Sequence, residues 1–432
     1  MFFPIRSYNL FFNRFDTGPT STPLSLSTDQ PTSSSLCLHA PSPPSTPPPS
    51  LGLSQSPPPS PPSLQCSSPP PPPSPNLFTP TVDQVRTQLK KIKARKATGP
   101  DGISSRLLRD CADQLCQVVC YIFNLSLSLE RVPVLWKTSC VVPVPKTSRP
   151  KEPNHFRPVA LTSHLMKALE RIVLRHLRPL VSPNMDPLQF AYQPGIGVDD
   201  AVIYLLQRSL SHLEDAGNTV RITFFDFSSA FNTIHPSLLR VKLERAGASD
   251  QLAAWVTNYL TDRPQFVRLQ DCVSDVVVCS TGAPQGTVLS PFLFTLYTSD
   301  FTYSTDSCHL QKFSDDTAIV GCVSEGNDCE YRKVIMDFVD WCELNHLQVN
   351  ASKTKEMVID FSRKPSDIAP VNIQGLDIER VRTYKYLGVH LNNKLDWTDN
   401  TDSLYKKGQS RLYMLRRLGS FGVCRPLLRT FL

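Results

Sequence analysis

The sequence predicts an α+β fold for its larger, C-terminal part, with an antiparallel sheet backed by helices on one side. From residue 218 onward, short runs of alternating apolar residues predict strands, and several of these runs are paired across tight turns. Stretches with apolar residues at helical spacing lie between the strand runs. No internal repeat interrupts this order.

The first 80 residues are predicted to contribute no fold. Residues 41–75 consist almost entirely of proline and serine and contain no charged residue. Such a segment cannot bury enough apolar surface to offset the entropy lost on ordering, so we expect a disordered, locally polyproline II segment. A plain spacer is the favoured interpretation, and a docking segment for an SH3 or WW domain is the alternative.

The charge and the cysteines narrow the class of protein. The net charge of +7 lies entirely after residue 80, because the first 80 residues hold two arginines and two aspartates. A modest basic excess suits an anionic polymer as partner. The thirteen cysteines include no CxxC pair, which favours reduced thiols over a metal finger or a disulfide framework.

The sequence predicts no membrane partner. The opening stretch "MFFPIRSYNLFFNRF" is interrupted by Arg6 and Arg14, too early for a signal peptide. No apolar stretch approaches the roughly 20 residues that a membrane span needs. We therefore expect an intracellular protein, in the nucleus, the cytoplasm or both.

Order is predicted to begin near Thr81. The stretch "TVDQVRTQLKKIKARKATGPDGI" predicts an amphipathic helix that is stopped by Gly99 and Pro100. Residues 107–129 predict a second, strongly apolar helix. Its three cysteines are predicted to be core residues: Cys111, Cys116 and Cys120.

The elements that follow alternate between strand and helix. The strand "TVRITFFDF" ends with Asp226 followed by Phe227, and the helix "HPSLLRVKLERAG" starts with a proline and stops at Gly247. The other predicted elements are, in order, a strand over 139–146, a helix over 161–177, a strand, glycine-rich turn and helix over 276–301, a hairpin over 310–321, a helix over 331–349, a strand over 356–361 and a hairpin ending in "YKYLGVHL".

Two adjacent acids, Asp315 and Asp316, are predicted at the tip of the hairpin "LQKFSDDTAIVG". Asp-Asp is a poor choice for a two-residue turn, and neighbouring carboxylates repel each other. A solvated acidic loop is one explanation. The other is a cation site, because a bound cation removes the repulsion.

Asp226 supports the cation site, since acids at strand ends within one sheet can converge on a point. Alone, Asp226 is more often a helix-capping residue. Magnesium typically takes one or two carboxylates plus substrate phosphates. A pair of such ions supports in-line phosphoryl transfer.

The order of four segments resembles the successive palm motifs of reverse transcriptases: "FFDFSSAFN", "GAPQGTVLSPFLFTLY", "FSDDTAIV" and "YKYLGVHL". The likeness is above all to the non-LTR, LINE-like retrotransposon enzymes. "KATGPDGI" resembles an element near the start of those enzymes, and "WKTSCVVPVPK" and "NHFRPVALTSHLMKALERIV" resemble their fingers motifs. The resemblance covers roughly residues 81–432 and implies a right-hand polymerase with fingers, a palm and the start of a thumb.

The resemblance also implies a division of the chain. The predicted parts are a disordered Pro/Ser-rich segment (1–80), an N-terminal extension of the fingers (81–125), the reverse transcriptase domain with fingers and palm (126–391) and the truncated start of a thumb (392–432).

The resemblance assigns the acids to catalysis. Asp226, Asp315 and Asp316 would be the catalytic carboxylates and metal ligands, with Asp226 and Asp315 the principal ones. The Phe227 carbonyl would be a further ligand. The implied cofactor is a pair of Mg²⁺ ions, with Mn²⁺ as an alternative.

Nucleotide contacts are implied at several other positions. Lys146 and Arg157 fit the fingers residues that clamp the triphosphate, although each alone would be an ordinary surface charge. Gln285 and Gly286 match a turn beside the template and nucleotide, where glycine permits close backbone approach; a connecting turn is the alternative. Phe231 would lie beneath the sugar and exclude a 2′-hydroxyl; the alternative is a core aromatic.

Lys353 matches the family's motif D lysine, which would protonate pyrophosphate. Lys355 is a rival, and a surface lysine is the plain alternative. The segment "YKYLGVHL" resembles the primer grip, but its apolar alternation suits a core strand equally well.

The predicted function is RNA-directed DNA synthesis from an RNA template, a DNA primer and deoxynucleoside triphosphates. One alternative is a catalytically weak or inactive nucleic-acid-binding fragment, and another is a Pro-rich interaction protein. Full-length relatives carry an endonuclease domain before the polymerase, whereas a Pro-Ser tract precedes it here and the chain stops at Leu432. We therefore expect a fragment that does not integrate DNA by itself.

Two positions depart from the family's pattern. Ser314 stands where alanine is usual, a change between small residues. "QPGIGVDDA" lacks the aromatic residue expected after its first glycine, which bears on that loop's contact with nucleic acid.

Overall fold

The computed structural model describes residues 78–362 and 368–428. The predicted disorder and the SH3 or WW docking of the Pro/Ser-rich segment fall on residues outside these ranges. The described residues belong to one compact unit. The proposed boundaries at 125/126 and 391/392 stay predictions.

The described chain contains long and short helices in addition to its strands. They are α1 (Val82–Lys90), α2 (Ser105–Asp110), α3 (Ala112–Ser128), α4 (Val134–Lys137), α5 (His164–Val181), α6 (Val198–Leu213), α7 (Pro236–Arg245), α8 (Asp250–Leu260), α9 (Leu289–Tyr297), α10 (Cys329–Leu344), α11 (Thr398–Ser420) and α12 (Arg425–Leu428). Three short 3₁₀ turns accompany them: Pro153–His155, Ser182–Asn184 and Ala230–Asn232.

The strands form two larger sheets and two small ribbons. They are β1 (Ser139–Pro145), β2 (Phe156–Leu161), β3 (Thr219–Phe225), β4 (Arg263–Leu269), β5 (Cys272–Val273), β6 (Val277–Cys279), β7 (Cys308–Phe313), β8 (Asp316–Val323), β9 (Lys355–Asp360), β10 (Asn372–Ile373), β11 (Leu376–Asp377), β12 (Glu379–Arg380), β13 (Thr383–Tyr386) and β14 (Val389–Asn392).

One of the two five-stranded sheets carries the predicted acids at its strand ends. Its order is β12-β9-β3-β8-β7. Its pairs are antiparallel except β12 with β9, which is parallel. Strand β3 lies in the middle and is buried along its whole length. The predicted α+β plan around an antiparallel sheet is therefore confirmed.

Helices cover both faces of this sheet, whereas the sequence predicted them on one side only. Val220, Ile222 and Phe224 of β3 face α6 and the β13–β14 hairpin in one apolar cluster. The alternate residues face α10, where the Thr223 hydroxyl lies 2.5 Å from the Tyr331 hydroxyl. Side chains alternate between the faces of a strand, and the face of β3 toward α10 carries the polar but buried residues Arg221 and Thr223, so the apolar alternation did not reveal that this face is covered as well.

The second five-stranded sheet contains β1 and β2. Its order is β2-β1-β4-β5, with β6 also paired to β4, and β1 runs parallel to β4. The predicted strand over 139–146 is thus confirmed. The strand, turn and helix predicted over residues 276–301 are confirmed as well, as β6, the turn that follows it and α9.

Two helix predictions near the start were too long. Helix α1 starts just after Thr81, as predicted, and the structure shows a capping box between Thr81 and Gln84 there; the helix ends at Lys90 and not at Gly99. The second predicted helix is broken at Cys111, which is half-buried and not a core residue. Gly99 has a different reason to be glycine, because a Cβ there would lie 2.8 Å from the backbone of Ser163.

The C-terminal part of the described chain is dominated by the long helix α11, in which no residue is buried. Its apolar and aromatic side chains are exposed, for example Tyr405, Tyr413 and Met414. Within the described ranges, no helix combines the length and the apolar character needed to cross a bilayer.

Candidate active site

Asp315 and Asp316 lie in the hairpin between β7 and β8, but they do not form its two-residue turn. Phe313 pairs with Asp316 in the ladder, so the two turn residues are Ser314 and Asp315. Ser314 has a φ of +62°, the left-handed conformation that tight hairpin turns require at their first central position. The sequence placed the turn one residue too late, and Asp316 is the first residue of β8.

The strand register brings Asp226 beside this hairpin. The last residue of β3 pairs with Thr317, so the next residue, Asp226, comes beside Asp316. The backbone of Asp226 is held from the other side. Its N–H donates to Thr354 Oγ1 at 3.3 Å, and its carbonyl accepts from the N–H of Asn350 at 2.7 Å.

The three acids interact electrostatically. Burial raises the pKa of Asp226; the charge of Lys353 lowers it, and the charge of Asp315 raises it further. Although part of the Asp316 side chain is exposed, removal of bulk water by the surrounding protein raises its pKa to about 6. The negative charges of Asp315 and then Asp226 act in the same direction.

One oxygen of Asp226 marks where a cation would bind. Asp226 Oδ2 is buried and accepts no hydrogen bond from the residues that the structure describes. The Phe227 carbonyl already accepts from the N–H of Ser229 at 3.0 Å, which leaves it one lone pair. Among the described residues, no three His, Cys, Asp or Glu side chains are arranged to hold a metal ion by themselves. The buried carboxylate oxygen of Asp226 and the free lone pair of the Phe227 carbonyl are oxygen donors of the kind that a divalent cation such as Mg²⁺ takes.

The two candidate lysines near Asp226 differ in their partners. Lys353 Nζ lies 3.9 Å from Asp226 Oδ2, and its side chain is about half exposed. Lys355 Nζ is occupied elsewhere, because it donates to Glu379 Oε2 at 2.7 Å and to the carbonyl of Ser352 at 2.8 Å. The structure brings Lys353 to the acids and ties Lys355 to the neighbouring strand β12.

The two cationic residues predicted to clamp the triphosphate, Lys146 and Arg157, lie in or next to the second sheet. Arg157 on β2 pairs with Val144 on β1, and Lys146 directly follows β1. Burial lowers the pKa of Lys146, and the charges of Arg157 and Lys353 lower it further. Arg157 and Lys353 are therefore both within electrostatic range of Lys146, and Lys353 is also the lysine that lies beside Asp226.

The turn that contains Gln285 and Gly286 connects β6 to α9. Gly286 has a φ of +94°, and a Cβ there would lie 2.9 Å from the carbonyl oxygen of Ala160 on β2. Both the conformation and the close approach require glycine. The close approach in this structure is to the protein's own backbone, and Gln285 is half-buried beside it.

Phe231 follows Asp226 by five residues and lies in the core. Its side chain is 3% exposed, and its ring stacks on that of Phe294 of α9 with centroids 4.6 Å apart. Its carbonyl accepts from the N–H of Ala283 at 2.7 Å, which joins it to the turn before α9.

The "YKYLGVHL" segment forms the β13–β14 hairpin, which packs on the sheet near the acids. The ring of Tyr384 stacks on Phe224 with centroids 4.1 Å apart, and Tyr386 is buried. A cavity of about 290 Å³ between this hairpin and the sheet is lined in part by Asp316 and Lys385. The segment thus contributes to the core and also borders the acid site.

The sequence reasoning missed Glu170, which is fully buried. Its Oε2 accepts from the backbone N–H groups of Val288 and Leu289, at the start of α9, and its Oε1 accepts from the Tyr259 hydroxyl at 3.2 Å. An acid at the N-terminus of a helix satisfies donors that have no partner within the helix. The available signal was an acid within the apolar stripe of α5.

Lys312, just before the acidic turn, was also missed. It is fully buried, and its Nζ donates to Asp186 Oδ2 at 2.8 Å and to the carbonyls of Thr298 and Phe301 at 2.7 and 2.6 Å. The available signal was the presence of Gln311 and Lys312 in the middle of a short predicted strand that ends on Phe313. Their partners come from distant parts of the chain.

Three interacting acids at adjoining strand ends, faced by cations from a second sheet, correspond to the palm and fingers of the polymerase class that the sequence resembles. A model of the reverse transcriptase (RNA-dependent DNA polymerase) family matches residues 144–391, more than half of the chain. The chain therefore belongs to the reverse transcriptase family. A short match over residues 397–432 is to the N-terminal part of alkylated DNA repair protein alkB homolog 8.

Curated relatives include polymerases of mobile elements. The chain is 26% identical over 345 residues to the RNA-directed DNA polymerase from mobile element jockey of Drosophila melanogaster, covering 77% of this chain and 37% of that protein. It is 23% identical over 350 residues to the probable RNA-directed DNA polymerase from transposon BS of the same species, covering 78% and 38%. These relatives confirm the predicted likeness to retrotransposon enzymes. The chain spans just over a third of their length.

Among solved structures, the chain resembles an apo telomerase from Candida tropicalis truncated from its C-terminal domain. The TM-score is 0.41 at 12% sequence identity, and the match covers 61% of this chain and 55% of that one.

Proposed function

We propose that this chain is the polymerase part of a non-LTR retrotransposon protein and catalyses RNA-directed DNA synthesis. Its substrates are an RNA template, a DNA primer and deoxynucleoside triphosphates. The observation that carries the proposal is the buried Oδ2 of Asp226, which accepts no hydrogen bond from the described residues and lies beside the Asp315 and Asp316 hairpin. Residues 126–391 form the fingers and palm, residues 81–125 extend the fingers, and residues 392–432 begin the thumb.

The acids hold the cofactor and align the reacting groups. Asp226 and Asp315 are the principal ligands of two Mg²⁺ ions, with Mn²⁺ as a substitute, and Asp316 and the Phe227 carbonyl contribute further oxygens. Such a pair of ions activates an attacking hydroxyl and stabilises the leaving oxygen of an in-line displacement. The raised pKa values of Asp226 and Asp316 support this role: burial is the main cause, the charges of the neighbouring acids add to it, and a bound cation would offset both effects.

The cations bind the incoming triphosphate. Arg157 offers bidentate contacts to phosphate oxygens, and Lys146 offers a point charge. Lys353 gives a proton to the departing pyrophosphate; its distance of 3.9 Å to Asp226 supports it over Lys355, which is paired with Glu379.

Two further contacts select the nucleotide. The turn at Gln285 and Gly286 lies against the template and the base, and the Phe231 ring forms the floor beneath the sugar. The hydrogen bond from the Ala283 N–H to the Phe231 carbonyl supports the assignment of Phe231, because it joins Phe231 to the turn that contains Gln285 and Gly286.

The second candidate function is a nucleic-acid-binding piece that extends a primer poorly or not at all. The observation that favours it is α11, in which no residue is buried, so the start of the thumb packs weakly on the palm. The protein acts inside the cell, in the nucleus or the cytoplasm, because RNA templates and deoxynucleoside triphosphates are found there.

Primer extension on poly(rA)/oligo(dT) with purified protein tests the proposal. Asp315→Asn should reduce extension to below about 1% of wild type, because it removes a metal-binding carboxylate. The change in unfolding free energy should stay within about 0.5 kcal/mol, because Asp315 is a half-buried turn residue with solvent beside it.

Asp306→Asn is the matched control. Asp306 lies at the other end of the same hairpin and is exposed, so this variant should extend primers at the wild-type rate. Extension by Asp315→Asn at the wild-type rate would show that the metal site is assigned wrongly. A folded wild type that binds primer–template without extending it would support the second candidate.

A further inference from the structure

The loop between α5 and α6 covers the edge of the palm sheet next to the acidic turn. Strand β7 is the edge strand of this sheet. The N–H of Phe190 donates to the carbonyl of Lys312, and the N–H of Lys312 donates to the carbonyl of Leu188, both at 2.9 Å. Between them, Gln189 forms a parallel bridge with Lys312. The loop therefore pairs with the edge strand that leads into the turn.

The side chain of Gln189 reaches past this pairing into the turn itself. It is 1% exposed. Its Oε1 accepts from the N–H of Ser314 at 2.9 Å and from the N–H of Ala191 at 3.1 Å, and its Nε2 donates to the carbonyl of Ser314 at 3.4 Å. One buried amide thus binds both backbone groups of the first turn residue.

Ser314 needs such support because of its backbone conformation. Its φ of +62° is left-handed, which costs a residue other than glycine or asparagine roughly 1–2 kcal/mol. A residue persists in such a conformation only when its surroundings fix it. Gln189 supplies the backbone contacts, and the Tyr192 hydroxyl adds one to Ser314 Oγ at 3.2 Å.

The turn conformation decides where Asp315 lies. Asp315 directly follows Ser314, and Asp316 starts the next strand. A rotation at Ser314 would move the Asp315 carboxylate relative to Asp226, whose backbone is held by a different part of the chain. A misplacement of about 1 Å at a reacting centre can reduce the rate about a hundredfold.

We propose that Gln189 is a positioning residue for nucleotide addition. It acts through the backbone of Ser314 and fixes the turn that carries Asp315. The proposal rests on the proposed polymerase function. If this is right, replacing Gln189 should lower kcat more than a substitution elsewhere that lowers thermal stability by the same amount.

The variant Gln189→Met tests this, because methionine has nearly the same size and shape but neither the acceptor nor the donor. Gln88→Met is the control for the same substitution at a buried glutamine away from the turn, since Gln88 is 3% exposed on α1 and its Oε1 accepts no hydrogen bond from the described residues. Thermal unfolding of both gives the loss of stability. Steady-state addition of one nucleotide gives kcat and the KM for primer–template. Hydrogen exchange gives the protection of amides in the segment 313–318.

We expect kcat to fall about 10- to 100-fold in Gln189→Met, with the KM for primer–template within about twofold of wild type. Exchange at 313–318 should become faster in this variant. Gln88→Met should keep the wild-type kcat and exchange, even with an equal loss of thermal stability. If Gln189→Met does not fold, Gln189→Asn, whose amide is one methylene too short to reach Ser314, should show the same pattern.

A kcat within about threefold of the control's, or unchanged exchange at 313–318, would overturn the assignment of Gln189. Inactive wild-type protein would overturn the proposed function, and the positioning role with it. Faster exchange in an active variant whose kcat is unchanged would show that the turn moves without affecting catalysis, which also refutes the role.

Discussion

Truncation of Phe231 to alanine separates a sugar gate from a plain core aromatic. The ring is 3% exposed and stacks on Phe294 with centroids 4.6 Å apart and planes 25° apart. Removing a buried phenyl group costs about 3–5 kcal/mol of unfolding free energy. We therefore expect Phe231→Ala to lower the urea midpoint whichever role the ring has, so stability alone does not identify the gate.

The preference for deoxyribonucleotides over ribonucleotides shows whether Phe231 is the gate. If the ring lies beneath the sugar, its loss makes room for a 2′-hydroxyl, and the use of UTP relative to dTTP should rise at least about tenfold, which corresponds to about 1.4 kcal/mol. The assay is single-nucleotide addition opposite a template adenine, with kcat/KM measured for dTTP and for UTP.

Phe123→Ala is the matched control. Phe123 is fully buried on α3 and packs edge-on against Trp136 at 5.7 Å, so its truncation should cost a similar amount of stability. Its ratio of UTP to dTTP use should stay at the wild-type value. If the ratio for Phe231→Ala is also unchanged while activity falls, Phe231 is a core residue and the reasoning about the gate is wrong.

Two predictions concern stability. His309 is fully buried, and burial followed by the charge of Arg208 lowers its pKa from the usual 6.5 to about 4. The unfolded chain takes up this proton first, so unfolding free energy should fall as the pH drops from 6.5 to 4, by up to about 3 kcal/mol; urea titrations should show that His309→Phe lacks this part of the acid loss. Arg221→Met should cost about 3–5 kcal/mol, because the buried carboxylate of Glu356, 2.6 Å from Arg221 Nη2, loses its cation and keeps only the neutral Tyr331 hydroxyl, at 3.1 Å, among the partners described. The double variant Arg221→Met/Glu356→Gln should recover part of that loss, and equal urea midpoints for the single and double variants would contradict the ion-pair explanation.

The local sequence determined the elements and their chemistry. Alternating apolar residues before Asp226 predicted β3, and a proline and a glycine predicted both ends of α7. Each of these signals depends on residues within a few positions of each other, where side-chain periodicity and backbone preferences act directly. The acids, the cation predicted for them and the family likeness followed from the same short segments.

Only the tertiary structure decided how these elements meet. The register of β3 with β8 brought Asp226 beside Asp316, and the turn was set at Ser314 and Asp315, one residue earlier than predicted. The partner of that turn, Gln189, is 125 positions away in the sequence. No local pattern encodes a contact over such a separation, because the apolar periodicity of each element fixes which face is buried but not which element buries it.

Lys353 and Lys355 show the same limit at the level of single side chains. Both lysines lie in one short polar segment, and nothing in the sequence distinguishes them. In the folded chain, β12 pairs with β9 and brings Glu379 to Lys355, whereas Lys353 points to Asp226. Helix α1 ended at Lys90, and Gly99 proved to be required by the nearby backbone of Ser163, a contact that exists only after folding.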